Sequence, residues 1–216
     1  LIHLLRVNIL KRMESSVVSF ALTVERQLRD VEDTLRHIEA QVEELEEIDI
    51  EDVDIEDPAF ESLLVGRKVK VLLSDVDLAR WKQDLLEDRN RLANLLAAAR
   101  EISPERDAKL AALREIIANK HRQPINQGNR KVIVFTAFAD TANYLFEQLA
   151  PWARETLGVE SALVTGTGSN KTTLPKLRRD LGSILTAFSP CSKERPEELA
   201  SEGDIDLLIA TDCISE

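Results

Sequence analysis

The sequence closes on Leu207-Leu-Ile-Ala-Thr211-Asp212-Cys-Ile-Ser215-Glu216, in which four apolar residues are followed at once by a polar segment. A continuous Leu/Ile run of this length is typical of a strand that is buried on both faces of a parallel sheet. In open α/β sheets, ligands bind just beyond the carboxyl ends of such strands. The stretch therefore predicts an α/β fold with a binding edge at Thr211, Asp212, Ser215 and Glu216.

Two similar apolar runs precede this one, over residues 132–135 and 162–164. Helical patterns follow them over residues 139–149 and 174–188, and Pro151 predicts the end of the first helix. An alternation of strands and helices favours right-handed crossovers and a parallel sheet. We expect residues 131–216 to form the beginning of a doubly wound sheet that lacks its last strands.

The first half of the chain has a different, helical period. Its apolar residues alternate in steps of four and three through Val17, Ala21, Val24, Leu28, Val31, Leu35, Ile38, Val42 and Leu45. A second seam, interrupted at Asp88, runs through Leu78, Trp81, Leu85, Leu92, Leu95, Ala99 and Ile102. Sustained heptads are typical of coiled coils, so residues 17–121 are predicted to be a helical insertion containing an antiparallel hairpin.

Residues 43–57 connect the two seams and contain no basic residue. Such a run is typical of a solvated acidic loop. It lacks the glycine that a calcium-binding loop needs at its sharp turn, so we expect no metal site there.

Composition limits the functions that the chain can have. The 216 residues are 31% charged but only 4% aromatic, which favours long solvated helices over an all-β fold. The net charge of −11 argues against a free-standing nucleic-acid-binding domain. Two cysteines and the lack of a long apolar segment favour a cytoplasmic protein without a membrane anchor.

A glycine-rich stretch, Thr165-Gly-Thr-Gly-Ser-Asn-Lys171-Thr172, resembles a phosphate-binding loop only superficially. That loop needs glycine six residues before the lysine and again directly before it. Thr165 and Asn170 occupy those two positions, so the stretch predicts a turn that caps the next helix. With no nucleophile motif and only scattered histidines, we expect no catalytic residue in this chain.

Four segments together resemble the second RecA-like lobe of superfamily 2 helicases and translocases. The final strand with Thr211-Asp212 and Ser215-Glu216 is similar to motif V, and residues 131–145 are similar to motif IV. Lys109-Leu110-x-x-Leu113-x-x-Ile116-Ile117 resembles the helix before motif IV. Lys11-Arg12-Met-Glu-Ser-Ser16 resembles the lead-in of bacterial Swi/Snf-like translocases related to the RNA polymerase recycling ATPase, so residues 1–16 are expected to lead into the lobe.

The resemblance implies a set of binding residues. Nucleic acid would meet Thr136, Phe138, Thr165, Gly166, Ser215 and Glu216, together with Lys171, Lys176, Arg178 and Arg179 on a basic helix after the second strand. Thr211 and Asp212 would also face a cleft for ATP, which an N-terminal RecA-like lobe would complete. A solvated face is the alternative interpretation of the basic run.

ATP and magnesium then belong to an intact parent helicase or translocase, with DNA as the favoured substrate. The first lobe and the arginine-rich motif VI are missing from these residues, which implies a chain cut within motif V. Phosphoryl transfer needs phosphate, magnesium and arginine positioned together, so we expect the chain alone to be inactive as an ATPase.

Two other functions remain open at this point. One is a coiled-coil protein-interaction module whose α/β part is a structural scaffold, and the hairpin could bind a protein partner in either case. The other is a Rossmann-type enzyme, which is disfavoured because Thr136-Ala-Phe-Ala-Asp140 stands where a glycine fingerprint would follow the strand.

Overall fold

The computed structural model describes residues 2–45, 64–65, 71–72, 77–166 and 170–211. The protein is mixed α/β and divides into two compact units. One contains Leu1–Phe20 and Arg100–Glu216, and the other contains Ala21–Ala99. Residues 100–121, which we expected in the helical insertion, therefore cluster with the α/β unit.

The α/β unit is built on a four-stranded sheet whose strands are ordered β3-β6-β4-β5. Its strands are β3 (Val132–Phe135), β4 (Ser161–Val164), β5 (Lys171–Thr172) and β6 (Leu207–Ala210). Strand β6 is central and runs parallel to both β3 and β4. The predicted parallel sheet is confirmed, while β5 is an additional edge strand that pairs antiparallel with β4.

Six α-helices lie within the described residues. They are α1 (Ile2–Ser15), α2 (Val17–Leu45), α3 (Leu78–Arg100), α4 (Ala108–Arg122), α5 (Ala139–Leu157) and α6 (Leu181–Phe188). A small antiparallel pair, β1 (Leu64–Val65) and β2 (Val71–Leu72), lies in the second unit. None of these helices is long and apolar enough to cross a membrane.

Helices pack on both faces of the sheet, although Ile133 and Phe135 of the edge strand β3 are 45% and 56% exposed. Leu207 and Ile209 of β6 pack into a cluster with α4 and α5, whereas Leu208 packs into a second cluster with α6. Every residue of β6 is buried. This is why the strand reads as a continuous apolar run rather than as an alternation of apolar and polar residues.

Helix α5 does not end at Pro151, so that prediction is wrong. It continues to Leu157 and ends at Gly158, which has a left-handed φ of 67° and donates to the Arg154 carbonyl (3.2 Å). Proline costs a helix interior about 3 kcal/mol. Leu149 and Ala153 are fully buried on either side of Pro151, and their packing outweighs that local cost.

Helix α6 begins at Leu181 instead of residue 174, so the predicted basic helix is also wrong. Asp180 caps the helix by accepting from the Ser183 amide (2.9 Å). Leu174 and Leu177 lie on the irregular segment that precedes the cap, and their side chains are buried in the cluster that also contains residues of α6. Their spacing of three residues mimicked a helical period, and Pro175 between them favours a turn.

The second unit contains most of both helical seams. Ile38 of α2 is 1% exposed and packs against Leu78, Trp81 and Leu85 of α3. Glu39 and Lys82 add an ion pair of 2.9 Å beside it. The α3 seam differs from prediction at two positions. Leu96 is buried while Leu95 is 49% exposed, and Ile102 lies beyond the end of α3 at Arg100 and is 38% exposed. A four-residue step from Leu92 reaches Leu96, so the period alone cannot separate the two leucines.

The acidic connector falls almost entirely outside the described residues. Helix α2 is described as far as Leu45, and residues 46–63 are not described. The predicted solvated loop at residues 43–57 and the continuation of α2 past Leu45 therefore stay predictions.

Candidate functional site

Each of the three parallel strands is followed directly by a threonine, and the three threonines lie at the same end of the sheet. Thr136, Thr165 and Thr211 directly follow β3, β4 and β6, and we name this row the carboxyl edge. The Thr136 amide donates to the Ala210 carbonyl (3.0 Å). The Thr211 amide donates to the Val164 carbonyl (3.1 Å). The sheet register therefore places three predicted site residues side by side.

Hydrogen bonds also involve the side chains of the carboxyl edge. The Thr211 hydroxyl oxygen accepts from the Gly166 amide at 3.4 Å. The Thr136 hydroxyl oxygen accepts from the Phe138 amide, also at 3.4 Å. Hydroxyls and backbone amides are common contacts to nucleic-acid phosphates. The Thr136 and Thr211 hydroxyls are chemically suited to an anionic backbone, whereas Thr165 is only 7% exposed and the Gly166 and Phe138 amides already donate within the protein. Among its described residues, the carboxyl edge contains no nucleophile activated by a base.

Asn170 links the carboxyl edge to the basic segment that precedes α6. Its side-chain oxygen accepts from the Thr165 amide (3.4 Å), and its side-chain nitrogen donates to the Arg179 carbonyl (3.1 Å). This role was not predicted from the sequence. The available signal was an asparagine in a glycine- and serine-rich stretch, because asparagine side chains often bond to turn backbone.

The structure separates the four predicted basic residues. Lys176, Arg178 and Arg179 are exposed on the segment before α6, and the Arg178 side chain is 87% exposed. Lys171 lies in β5, where its ammonium is 3.7 Å from a Glu147 carboxylate oxygen and 6.0 Å from the Phe146 ring. The first three can meet a ligand in solution, whereas Lys171 lies against α5.

Lys171 also lacks the setting of a phosphate-loop lysine, which stands at the start of a helix. It lies in a strand, and the next helix begins only at Leu181. In the part of the chain that the structure describes, no group of three or more His, Cys, Asp or Glu side chains could hold a metal ion.

A cavity of about 350 Å³ opens at the amino end of α6, lined by residues that include Leu177, Arg178, Ser183 and Arg195. Asp180 already occupies this helix terminus, and both oxygens of its carboxylate accept from Ser183. Those hydrogen bonds hold the pKa of Asp180 below its usual value. Because the carboxylate stays ionised, the cavity is a poor site for an anion.

The lead-in helix contacts the turn between β3 and α5. Arg12 lies 3.0 Å from the Asp140 carboxylate, and its guanidinium is 4.6 Å from the centre of the Phe138 ring. Ser15 and Thr141 share a hydrogen bond of 2.9 Å. The Lys109 ammonium donates to the Glu14 carbonyl. Arg12 is therefore not simply a solvated residue, which was the alternative to a role in the lead-in motif.

Asp212, Ser215 and Glu216, three of the predicted binding residues, lie outside the described residues. No protein-family model, curated protein or solved structure matches this chain.

Proposed function

We propose that this chain is part of the C-terminal RecA-like lobe of a bacterial Swi/Snf-like, ATP-dependent helicase or translocase. In this proposal, nucleic acid lies along the carboxyl edge. The observation that carries it is the register of β3, β6 and β4, which brings Thr136, Thr211 and Thr165 side by side after the carboxyl ends of three adjacent strands. Each threonine also occupies the position that the resemblance gives to a binding motif.

The chemistry of the edge supports recognition of a sugar-phosphate backbone without a base sequence preference. Gly166 is exposed beside Thr211, and the exposed Arg178 and Arg179 lie on the segment that Asn170 ties to Thr165. Phosphate contacts of this kind position a protein on nucleic acid but read no sequence. A local basic segment also reconciles nucleic-acid binding with the net charge of −11.

The remaining parts of the proposal concern the parent protein. Thr211 and Asp212 would face ATP and magnesium bound mainly by an N-terminal RecA-like lobe, so hydrolysis would need both lobes. Closure of the lobes would move the carboxyl edge along the strand. DNA is the favoured substrate, and the setting is the cytoplasm.

Binding of the 216-residue chain to labelled DNA duplexes of several sequences, measured across a range of salt concentrations, tests the proposal. We expect Arg178→Ala with Arg179→Ala to weaken binding equally for all sequences and to reduce the salt slope by about 2. Arg122→Ala with Arg130→Ala is the matched control. It removes the same charge from exposed residues that flank the loop leading into β3. Equal effects of the two pairs of substitutions, or no binding by the unsubstituted 216-residue chain, would contradict the proposal.

We also propose that the two seams form an antiparallel coiled-coil hairpin that serves as an insertion in the lobe and as a surface for a protein partner. The contacts of Ile38 with Leu78 and Trp81, and of Glu39 with Lys82, support it. They join the last third of α2 to the first turns of α3, which is the pairing that a chain reversal between the helices produces.

A second candidate function is a protein-interaction module with a structural α/β scaffold. The observation that favours it is Leu95, a large apolar residue that is half exposed on α3. This alternative would be favoured if the chain binds no DNA but binds a protein partner, and if Leu95→Asp abolishes the binding of that partner.

A further inference from the structure

We infer that Arg12 is a positioning residue, which fixes the turn from Thr136 to Asp140 and thereby holds Phe138 at the carboxyl edge. The inference deepens the proposed function and rests on it, because Phe138 is a candidate nucleic-acid contact. It assigns a physical role to the lead-in helix, which our sequence analysis recognised only as a pattern. The contact partners are 128 residues apart in the chain.

The turn itself is anchored at its two ends. The Thr136 amide bonds to the Ala210 carbonyl (3.0 Å), and the Phe138 carbonyl accepts from the Ala142 amide (3.0 Å) to begin α5. Ala137, between these anchors, is exposed. The Phe138 amide also donates to the Thr136 hydroxyl (3.4 Å), so the hydrogen bonds of the turn fix the Phe138 backbone but not its side chain. Arg12 supplies a contact across the ring that holds the side chain.

An arginine can hold this site in two ways at once. Its planar guanidinium stacks on an aromatic face while its edge donates to a carboxylate, whereas a lysine ammonium is a single point charge. Arg12 makes both contacts, with Phe138 and Asp140. The side chains of Arg12 and Asp140 are 22% and 29% exposed, so the pair is more shielded from water than a typical surface ion pair.

Neighbouring contacts hold the backbone of the lead-in helix in place for Arg12. Ser15 bonds to Thr141 in the first turn of α5, and Lys109 at the start of α4 bonds to the Glu14 carbonyl. Ser19 lies 3.5 Å from the Arg12 guanidinium and is fully buried. The guanidinium thus reaches Phe138 from a helix whose backbone is held in place. It covers one face of the ring, so nucleic acid would meet the ring's edge or its other face.

Hydrogen exchange of the full chain tests the positioning role without nucleic acid. We expect Arg12→Gln to raise the exchange rate of the Phe138 amide, which donates to the Thr136 hydroxyl, by about tenfold, while the buried Leu208 amide is unchanged. Arg12→Lys should have a smaller effect. Arg6→Gln is the control, because Arg6 is exposed on the same helix. Unchanged exchange of the Phe138 amide in Arg12→Gln would overturn the inference.

A second variant covers the case in which Arg12→Gln impairs folding, which faster exchange at Leu208 would reveal. Asp140→Asn keeps the shape of the side chain but removes its charge. The same local rise in exchange of the Phe138 amide is expected. Exchange equal to that of the parent chain would overturn the inference.

Binding to a labelled duplex then separates positioning from direct contact. If Arg12 acts through Phe138, the double variant Arg12→Gln with Phe138→Ala should bind no more weakly than Phe138→Ala alone. If Arg12→Gln weakens binding equally in both backgrounds and lowers the salt slope, Arg12 contacts phosphate and the inference is wrong. If the parent chain binds no duplex, the proposed function fails, and hydrogen exchange still decides whether Arg12 fixes the turn.

Discussion

At the scale of single residues, Asp107 joins two helices through one carboxylate. One oxygen accepts from the Leu110 amide (3.0 Å) and caps α4, while the other accepts from the Tyr144 hydroxyl of α5 (2.9 Å). Burial, followed by the hydrogen bond to Asp107, raises the pKa of Tyr144 well above its ordinary value. This contact fixes α4 to α5.

Tyr144 is the only tyrosine in the chain, so its ionisation can be followed by the ultraviolet absorbance of tyrosinate. We expect no ionisation near pH 10 in the folded chain, and ionisation with a pKa of about 10 in urea. Since the folded pKa is raised, the stability that this group contributes is fully present below pH 10 and is lost as the pH rises further. Native ionisation at the unfolded value would show that the contact does not form.

Tyr144→Phe supplies the matched comparison. Losing the hydrogen bond should cost about 1 kcal/mol of unfolding free energy at neutral pH. The difference in stability between the two proteins should then shrink as the pH rises above 10. A difference that stays constant to high pH would contradict the assignment of the pKa shift to Tyr144.

The residues of the candidate site were predictable from sequence to different degrees. Thr136, Thr165 and Thr211 could be placed because each directly follows an apolar run, and parallel strands end on one side of a sheet. The contact of Arg12 could not be predicted, whereas Asn170 left only a local signal, an asparagine in a glycine- and serine-rich stretch. Arg12 meets Asp140 across most of the chain, and nothing in one sequence reports such a pairing.

At the scale of elements, the predictions from local sequence pattern succeeded or failed according to how the residues are buried. The strands β4 and β6 matched their apolar runs, because every residue in them is buried. Strand β3 also formed where predicted, although Ile133 and Phe135 on one of its faces are exposed. Helix α5 passes Pro151 and α6 starts late, since packing of Leu149 and of Leu174 overrode proline and helical spacing. The two-residue strand β5 carries no sequence signal of its own.

Replacing Pro151 tests how far packing compensates a local defect. Pro151 is exposed, so Pro151→Ala removes little packing and restores an amide that can donate to the Glu147 carbonyl. We expect the unfolding free energy to rise by about 1–2 kcal/mol, which is less than the full helix preference because alanine also loosens the unfolded chain. Urea unfolding measures it, and a loss of stability would show that the helix relies on proline here.

The proposed hairpin predicts one pattern of distances between spin labels. If Ile38 faces Trp81 in an antiparallel pair, Glu32 lies beside Asp88, and both are exposed. Labels at these two positions should therefore be at neighbouring-helix separation, about 10 Å between helix axes. Labels at Glu32 and Ala98 should be farther apart by about 15 Å along the helix. Similar distances for both pairs would exclude the antiparallel arrangement.

At the scale of the whole molecule, the described residues of the two units form cores of different size. The α/β unit contains two clusters of buried residues on the two faces of its sheet. Among the described residues of the second unit, the cluster at Ile38 has a single fully buried member and three partly buried partners. A smaller buried apolar area contributes less hydrophobic stabilisation, so the second unit should be the less stable of the two.

The chain's two tryptophans report on the two units separately, because Trp152 packs in the α/β core and Trp81 packs against Ile38. In Trp152→Phe only Trp81 contributes tryptophan fluorescence, and in Trp81→Phe only Trp152 does. We expect the urea midpoint reported by Trp81 to be lower by about 1 M than the midpoint reported by Trp152. Ile38→Ala should lower only the unfolding free energy that Trp81 reports, by about 2–5 kcal/mol. Ile209→Ala should lower only the unfolding free energy that Trp152 reports, by a similar amount. Coincident transitions that both substitutions shift equally would mean that the chain unfolds as one cooperative unit, and the separate stabilities argued from the two cores would then be wrong.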